Sequence, residues 1–198
     1  MNYKPGDLFI GVIDFFGILV PGAVLLFLHG ELLAKALGLS LDPKEALFLV
    51  AFFVGAYVLG HILLGLGVVL NKLLRVYHPE RKDVFYQEIK DSIDLPKASG
   101  EDKRTSSFYR AYAFVRLNNA AALSEIERQM ADYKLFRSLT IVFGLDFLLT
   151  VVLGDLGSLR PLLSGMFLII AASRYLFLLD WTYRITFEFY ALLRDSQS

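Results

Sequence analysis

Apolar residues along the chain are concentrated in four long runs separated by polar stretches. The runs are Leu8–Leu28, Ala46–Leu70, Leu139–Leu153 with its flanks, and Leu162–Trp181. A helix needs about 20 mostly apolar residues to cross the hydrocarbon core of a bilayer. The second run reaches 25 residues with His61 as its only ionisable group. The pattern therefore predicts an all-α protein, an integral membrane four-helix bundle.

The largest polar segment lies between the second and third runs and predicts a helical insertion there. Residues 71–134 carry twelve Lys and Arg residues, against two between the first two runs and one between the last two. Because basic residues near a span favour the cytoplasmic side, the insertion and both termini are expected to be cytoplasmic. The expected location is the inner (plasma) membrane.

These expectations divide the chain into four parts. Residues 1–70 form transmembrane helices 1 and 2, and 71–134 form a cytoplasmic helical module. Residues 135–183 form transmembrane helices 3 and 4, and 184–198 extend the last helix into the cytoplasm.

Periodic apolar positions predict two helices within the module. The first follows Pro79 and has its apolar positions at helical spacing, namely Val84, Phe85, Ile89 and Ile93. A loop is expected over 95–107, where Pro96 and Gly100 interrupt the pattern. The second helix is expected to begin at Phe108 and to loosen at Asn118 and Asn119.

Apolar stripes continue beyond the third and fourth runs and predict that both helices extend past the bilayer. Ser124 and Glu127 fit a capping box, in which each side chain binds a free backbone N–H. A helix from Ser124 to Leu153 is ~45 Å long at 1.5 Å per residue. The stripes of the two helices are expected to pack against each other. They consist of Leu123, Ile126, Met130 and Tyr133 on one helix, and Ile185, Phe189 and Leu192 on the other.

Ionisable residues within the apolar runs are the first candidate site. Such groups are costly in lipid and tend to face the bundle interior in pairs. Asp14 and Arg174 lie at similar expected depth and are predicted to form an ion pair, whereas His61 and Asp146 are predicted to share a hydrogen bond. Arg137 is expected near the inner interface, within reach of headgroups or water. The four paired residues either fix helix packing or line an ion or proton path, and both interpretations stay open.

A second candidate site lies on the second helix of the module. Tyr112, Arg116 and Asn119 follow one another at i, i+4 and i+7 and therefore share a helical face. This face can bind a phosphate or a partner's carboxylate. The alternative is a solvated helix face with aromatic anchoring.

Small residues in the second run indicate close helix packing. Ala51 with Gly55, and Ala56 with Gly60, have the small-xxx-small spacing that lets backbones approach. The pattern does not distinguish a partner within the chain from one in another copy.

Motifs for catalysis or cofactor binding are missing. The sequence has no HExxH, no GxxxxGK[ST] or GxGxxG loop and no GxSxG elbow. It has no cysteine, which excludes disulfides, thiolate metal sites and a cysteine nucleophile. The formal net charge of +0 gives no electrostatic basis for nucleic-acid binding. We expect no catalytic, cofactor-binding or metal-binding residues, no cofactor and no nucleic-acid partner.

Three segments carry a resemblance to a known group of proteins. They are DFFGILVPG from Asp14, YVLGHIL around His61, and IERQMADYKLFRSL leading into the third run. Together they resemble small multi-pass prokaryotic membrane proteins of unknown function, some of which are found with defence genes. The resemblance implies a prokaryotic inner-membrane location and a membrane-perturbing role in defence. It assigns no functional residue.

Two functions follow as hypotheses. The size of the module favours a non-enzymatic membrane effector or sensor that sits in the lipid bilayer, forms homo-oligomers and binds a cytoplasmic protein partner or signal. The alternative is a small ion channel or proton-coupled transporter that uses the intramembrane Asp, His and Arg residues.

Overall fold

The computed structural model describes residues 5–37, 46–77, 103–153 and 158–196, with side chains for 15, 17–35, 48–72, 108–153 and 158–196. Within these residues every regular element is an α-helix. The helices are α1 (Pro5–Leu37), α2 (Ala46–Tyr77), α3 (Lys103–Asn118), α4 (Ala120–Val152) and α5 (Arg160–Asp195). All but α3 are long and apolar enough to cross a membrane. The predicted all-α class with four such helices is thereby confirmed.

Several predicted element ends differ from the observed ones. Helix α1 continues to Leu37, nine residues past the predicted end of the first run. Helix α3 begins at Lys103, so the last five residues of the predicted loop are helical. Its end at Asn118 agrees with the predicted break there. The helix predicted after Pro79 lies outside the described residues.

The long helices expose many large apolar side chains that a soluble helical protein would bury. On α2 these include Val54, Val58, Ile62, Leu66 and Val69. Helices that face lipid gain little from hydrophobic burial against each other, so their contacts depend on close packing and hydrogen bonds. Buried hydroxyls are satisfied within their own helices, since Thr140, Thr150, Thr182 and Thr186 each donate to a backbone carbonyl one turn earlier.

The chain divides into two compact units, and the first comprises Met1–Val69 and Ala131–Leu176. In this unit α1 and α2 meet backbone to backbone. A Cβ atom added at Gly22 would overlap the carbonyl oxygen of Ala56, and one added at Gly60 would overlap that of Ile18. Ala56 and Gly60, one of the predicted small-residue pairs, therefore pack against α1 of the same chain.

The second unit comprises Leu70–Met130 and Phe177–Ser198. Here α3 packs an apolar face on parts of α4 and α5. Phe108 and Ala111 contact Phe187 in one cluster, while Val115 and Ile126 belong to a second.

The predicted packing of the two apolar stripes is confirmed in this unit for Ile126 and Met130 with Ile185 and Phe189, whereas Leu123 and Tyr133 belong to neither cluster. Met130 of α4 and Ile185 and Phe189 of α5 pack around the second cluster. Leu192 is exposed, and its neighbour Leu193 packs against the cluster instead.

Helix α4 is capped by Asn119 and not by the predicted capping box. The Asn119 Oδ1 atom accepts hydrogen bonds from the backbone N–H groups of Ala121 and Ala122, both at 3.0 Å. Asparagine is among the preferred N-cap residues because its side chain satisfies such free donors. Ser124 lies inside the helix and donates to the carbonyl of Ala120 at 3.1 Å. The capping-box prediction is wrong because the helix begins four residues before Ser124.

Candidate functional site

Of the two contacts predicted among the intramembrane residues, the structure tests the one between His61 and Asp146. The Asp14 side chain lies outside the described residues, so its ion pair with Arg174 of α5 stays a prediction. His61 is exposed on α2, where its ring meets that of Tyr57 edge to face at 4.6 Å between centroids. Asp146 is buried on α4 with other partners, so the expected hydrogen bond between His61 and Asp146 is not formed.

Asp146 is the centre of a polar cluster in the first unit. Its Oδ1 atom accepts a hydrogen bond from the Arg160 guanidinium at 2.7 Å. The Oγ atom of Ser164 donates to Oδ2. His29 Nε2 lies 3.1 Å from Oδ1, as an electrostatic contact without hydrogen-bond geometry. We call His29, Asp146, Arg160 and Ser164 the Asp146 cluster.

Three helices position the Asp146 cluster. Because α1 continues past Leu28, it carries His29 as a helical residue, and the carbonyl of Leu28 accepts a second bond from Arg160 at 3.1 Å. Helix α5 begins at Arg160, with proline at the next position, where a missing N–H is tolerated. Ser164 follows one turn later on the same face. Asp146 lies six residues, or ~9 Å, before the end of α4.

Burial determines the electrostatics of the Asp146 cluster. The side chains of Asp146 and His29 are 2% and 9% exposed, whereas that of Arg160 is 43% exposed. Asp146 is thus enclosed and Arg160 reaches outwards from it. A buried carboxylate is stable only when it is paired and hydrogen-bonded, and Arg160 supplies the charge while Ser164 supplies a second donor.

The geometry of the Asp146 cluster is suited to hydrogen bonding between helices and not to catalysis. In a Ser–His–Asp triad the histidine stands between the other two groups and takes the proton of the hydroxyl. Here Asp146 stands between Ser164 and His29, so the imidazole is not placed to activate the serine. Within the described part of the chain, no group of three His, Cys, Asp or Glu side chains can hold a metal ion.

Three members of the Asp146 cluster were missed in the sequence, and each left a signal. The segment after Leu28, HGELLAKAL, contains no proline and no glycine after Gly30, which is compatible with a continuing helix. Because the helix continues through this segment, His29 is a residue of α1. Arg160 and Ser164 stand four residues apart at the start of the fourth run, the spacing that places two side chains on one face.

Arg137 forms a second buried polar contact in the first unit. It is 5% exposed, and its guanidinium donates to the carbonyl of Leu64 at 3.2 Å and lies 5.9 Å from the ring centroid of Tyr133. Gly67 makes room for it, because a Cβ there would overlap the guanidinium. The expectation that Arg137 reaches headgroups or water is therefore wrong.

The candidate face on α3 is reorganised by local contacts. Tyr112 is half-buried and donates its hydroxyl hydrogen to Glu127 at 2.9 Å, and Asn119 caps α4. Of the predicted three, Arg116 is exposed. The exposed side of α3 carries Tyr109, Arg110 and Leu117 as well, and we call Tyr109, Arg110, Arg116 and Leu117 the α3 outer face.

Comparison with known proteins adds no relative to this description. No protein-family model, curated protein or solved structure matches the chain.

Proposed function

We propose that this chain is a non-enzymatic, multi-pass protein of a prokaryotic inner membrane that acts as an oligomeric effector or sensor. In this proposal α3 and the parts of α4 and α5 that pack with it are cytoplasmic, as are both termini. This unit binds a protein partner or signal, and the response is a change in the membrane helices, with defence as the setting that the sequence resemblance implies.

The main support for the proposal is the packing of α3, which has one buried side and one exposed side. Its inner side is fixed by Phe108, Ala111 and Val115, all of which are buried. Its outer face leaves Tyr109 62% and Leu117 86% exposed. Exposed aromatic and apolar side chains beside arginines are typical of protein-binding surfaces. A rigid helix with such a face is better suited to recognition than a plain connecting segment.

Helix continuity supports a link between binding and response. Helices α4 and α5 contribute residues to both compact units without a break. Each is also one of the four helices that can cross a membrane. A partner that shifts α3 acts directly on side chains of these two helices, so no flexible linker has to relay the change.

A channel or proton-coupled transporter remains the second candidate function. We rank it lower because Asp146, the buried carboxylate in the part of the chain that the structure describes, is bound by Arg160 and Ser164. An ion pair that neutralises itself binds mobile ions or protons poorly.

Single cysteines test the proposed orientation, because the natural chain has none. A membrane-impermeant maleimide added to intact spheroplasts should label Leu159→Cys before α5. It should label Leu117→Cys on α3 only after the membrane is opened. Both side chains are exposed, so the difference reports the side of the membrane. The opposite pattern, or equal labelling of both in intact spheroplasts, would contradict the cytoplasmic placement of α3.

The effector role is tested by overproduction in a bacterium, with membrane potential followed by a voltage-sensitive dye. The natural chain is expected to depolarise the membrane, and Arg116→Glu combined with Leu117→Ser should remove most of this effect at equal protein level. Leu192→Ser is the matched control, since Leu192 is exposed on α5 in the same unit, and it should depolarise like the natural chain. Full depolarisation by the α3 variant would argue against its outer face as the binding surface.

A further inference from the structure

His61 occupies an unusual place in the first unit. It lies 13 residues after Phe48 and 11 before Lys72, the two ends of the apolar segment of α2. At 1.5 Å per residue it is ~20 Å and ~16 Å from these ends. The side chain is exposed. An ionisable, hydrogen-bonding group is thus presented outwards near the middle of a helix that can cross a membrane.

Within the described part of the chain, the imidazole of His61 has few contacts that could compensate for its polarity. Its contact there is the edge-to-face packing with Tyr57, and among the described residues its nitrogen atoms have no hydrogen bond. Lysine or arginine can reach the membrane surface with a long side chain, but histidine is too short to do so from this depth. Polar groups in hydrocarbon are costly, and they usually find partners on another helix.

The surface around His61 allows a helix to approach closely. Tyr57, His61 and Gly65 follow one another at intervals of four and so form one stripe along α2. Nothing lies within 4 Å of a Cβ built at Gly65, so this glycine opens a shallow notch directly beside His61. Val58 and Ile62 flank the stripe and are exposed. We call Tyr57, Val58, His61, Ile62 and Gly65 the His61 face.

We propose that the His61 face is the contact between two copies of this chain, with His61 at its centre. The proposal rests on the oligomeric part of the proposed function and specifies which helix makes the contact. In it, the imidazole of one copy hydrogen-bonds with the imidazole or the Tyr57 hydroxyl of the other, and the two α2 helices approach at Gly65.

Complementarity favours a second copy over other occupants. A neutral imidazole carries one donor and one acceptor, and a phenol carries both as well, so the His61 face can satisfy itself when two copies meet. The face has no Lys, Arg, Asp or Glu, so no repulsion between like charges opposes the contact and no counter-charge attracts a charged partner. Lipid tails offer neither donor nor acceptor.

Cysteine cross-linking in membranes tests where the copies meet. Val58→Cys and Gly65→Cys each introduce a lone thiol on the His61 face and leave His61 in place. Mild oxidation should convert each variant to a disulfide-linked dimer. Ile169→Cys is the matched control, because Ile169 is exposed on α5 of the same unit. It should stay monomeric under the same oxidation.

Substitution of His61 tests whether its hydrogen bonds hold the contact. His61→Leu should weaken dimerisation about three- to tenfold, as measured by energy transfer between labelled copies in bilayers at varied protein-to-lipid ratio. His61→Gln keeps a donor and an acceptor and should dimerise within about twofold of the natural chain. Because His61 is exposed, both variants should keep the helical content of the natural chain.

The outcomes separate this proposal from the function on which it rests. Cross-linking at Ile169 but not at Val58 or Gly65 would show an oligomer that uses another face, which overturns the His61 contact alone. Equal dimerisation of the His61→Leu variant would likewise overturn the role of the imidazole. A chain that is monomeric in bilayers and never cross-links would overturn both the contact and the oligomeric part of the proposed function.

Discussion

Replacement of Arg160 by alanine is expected to destabilise the protein by about 3–5 kcal/mol. The change removes the positive partner of Asp146, whose side chain is 2% exposed, and leaves an uncompensated charge inside the helix bundle. Ser164 retains its contact but supplies no charge. The free energy of unfolding can be measured in mixed micelles by titration with a denaturing detergent, with helical content followed by circular dichroism.

Two further variants make the Arg160 result interpretable. Arg184→Ala breaks an exposed ion pair with Glu188 on the same helix and should cost less than about 1 kcal/mol. The double variant Arg160→Gln, Asp146→Asn removes both charges and keeps polar groups in place, so it should recover part of the loss. An Arg160→Ala loss no larger than that of Arg184→Ala would show that Asp146 does not depend on its partner.

Introduction of a methyl group at Gly60 is expected to disrupt the packing of α1 on α2. In Gly60→Ala the new Cβ would overlap the Ile18 carbonyl oxygen, and backbone atoms cannot move aside as a flexible side chain does. We expect a loss of at least about 3 kcal/mol, at or beyond the upper end for overpacking. The same detergent titration measures it.

Gly65→Ala is the matched control for Gly60→Ala, with the same substitution five residues along the same helix. Its Cβ meets nothing within 4 Å, so the monomer's stability should change by less than about 1 kcal/mol. A loss for Gly65→Ala as large as that for Gly60→Ala would show that the effect does not come from the α1–α2 contact, because helix propensity favours alanine over glycine at both positions.

The sequence was sufficient to predict the five described helices and part of their packing in the second unit. Long apolar runs identify spans because backbone groups in lipid have to be satisfied within a helix. The stripes through Ile126 and Phe189 were predictive because a helical period places such residues on one side. The predicted stripe contains Leu192, whereas its neighbour Leu193 makes the contact. Two adjacent leucines fit a helical period almost equally well, so the pattern does not distinguish them.

The Asp146 cluster could not be derived in the same way. Its contacts join residues from three helices that are far apart in sequence, and helical periodicity carries no information on which helices are neighbours. The prediction pairs Asp146 with His61, whereas its partners lie on α1 and α5. His29 lies beyond Leu28, where the first apolar run ends, and Arg160 lies before the fourth run begins. Neither residue therefore belongs to a predicted span.

The order in which the chain is synthesised has a consequence for the Asp146 cluster. Residues of α1 and α4 leave the ribosome before Arg160, which is 14 positions after Asp146. In a protein inserted during translation, the carboxylate therefore leaves the ribosome 14 residues ahead of its cation. The cluster closes only when α5 arrives and contributes Arg160 and Ser164 together.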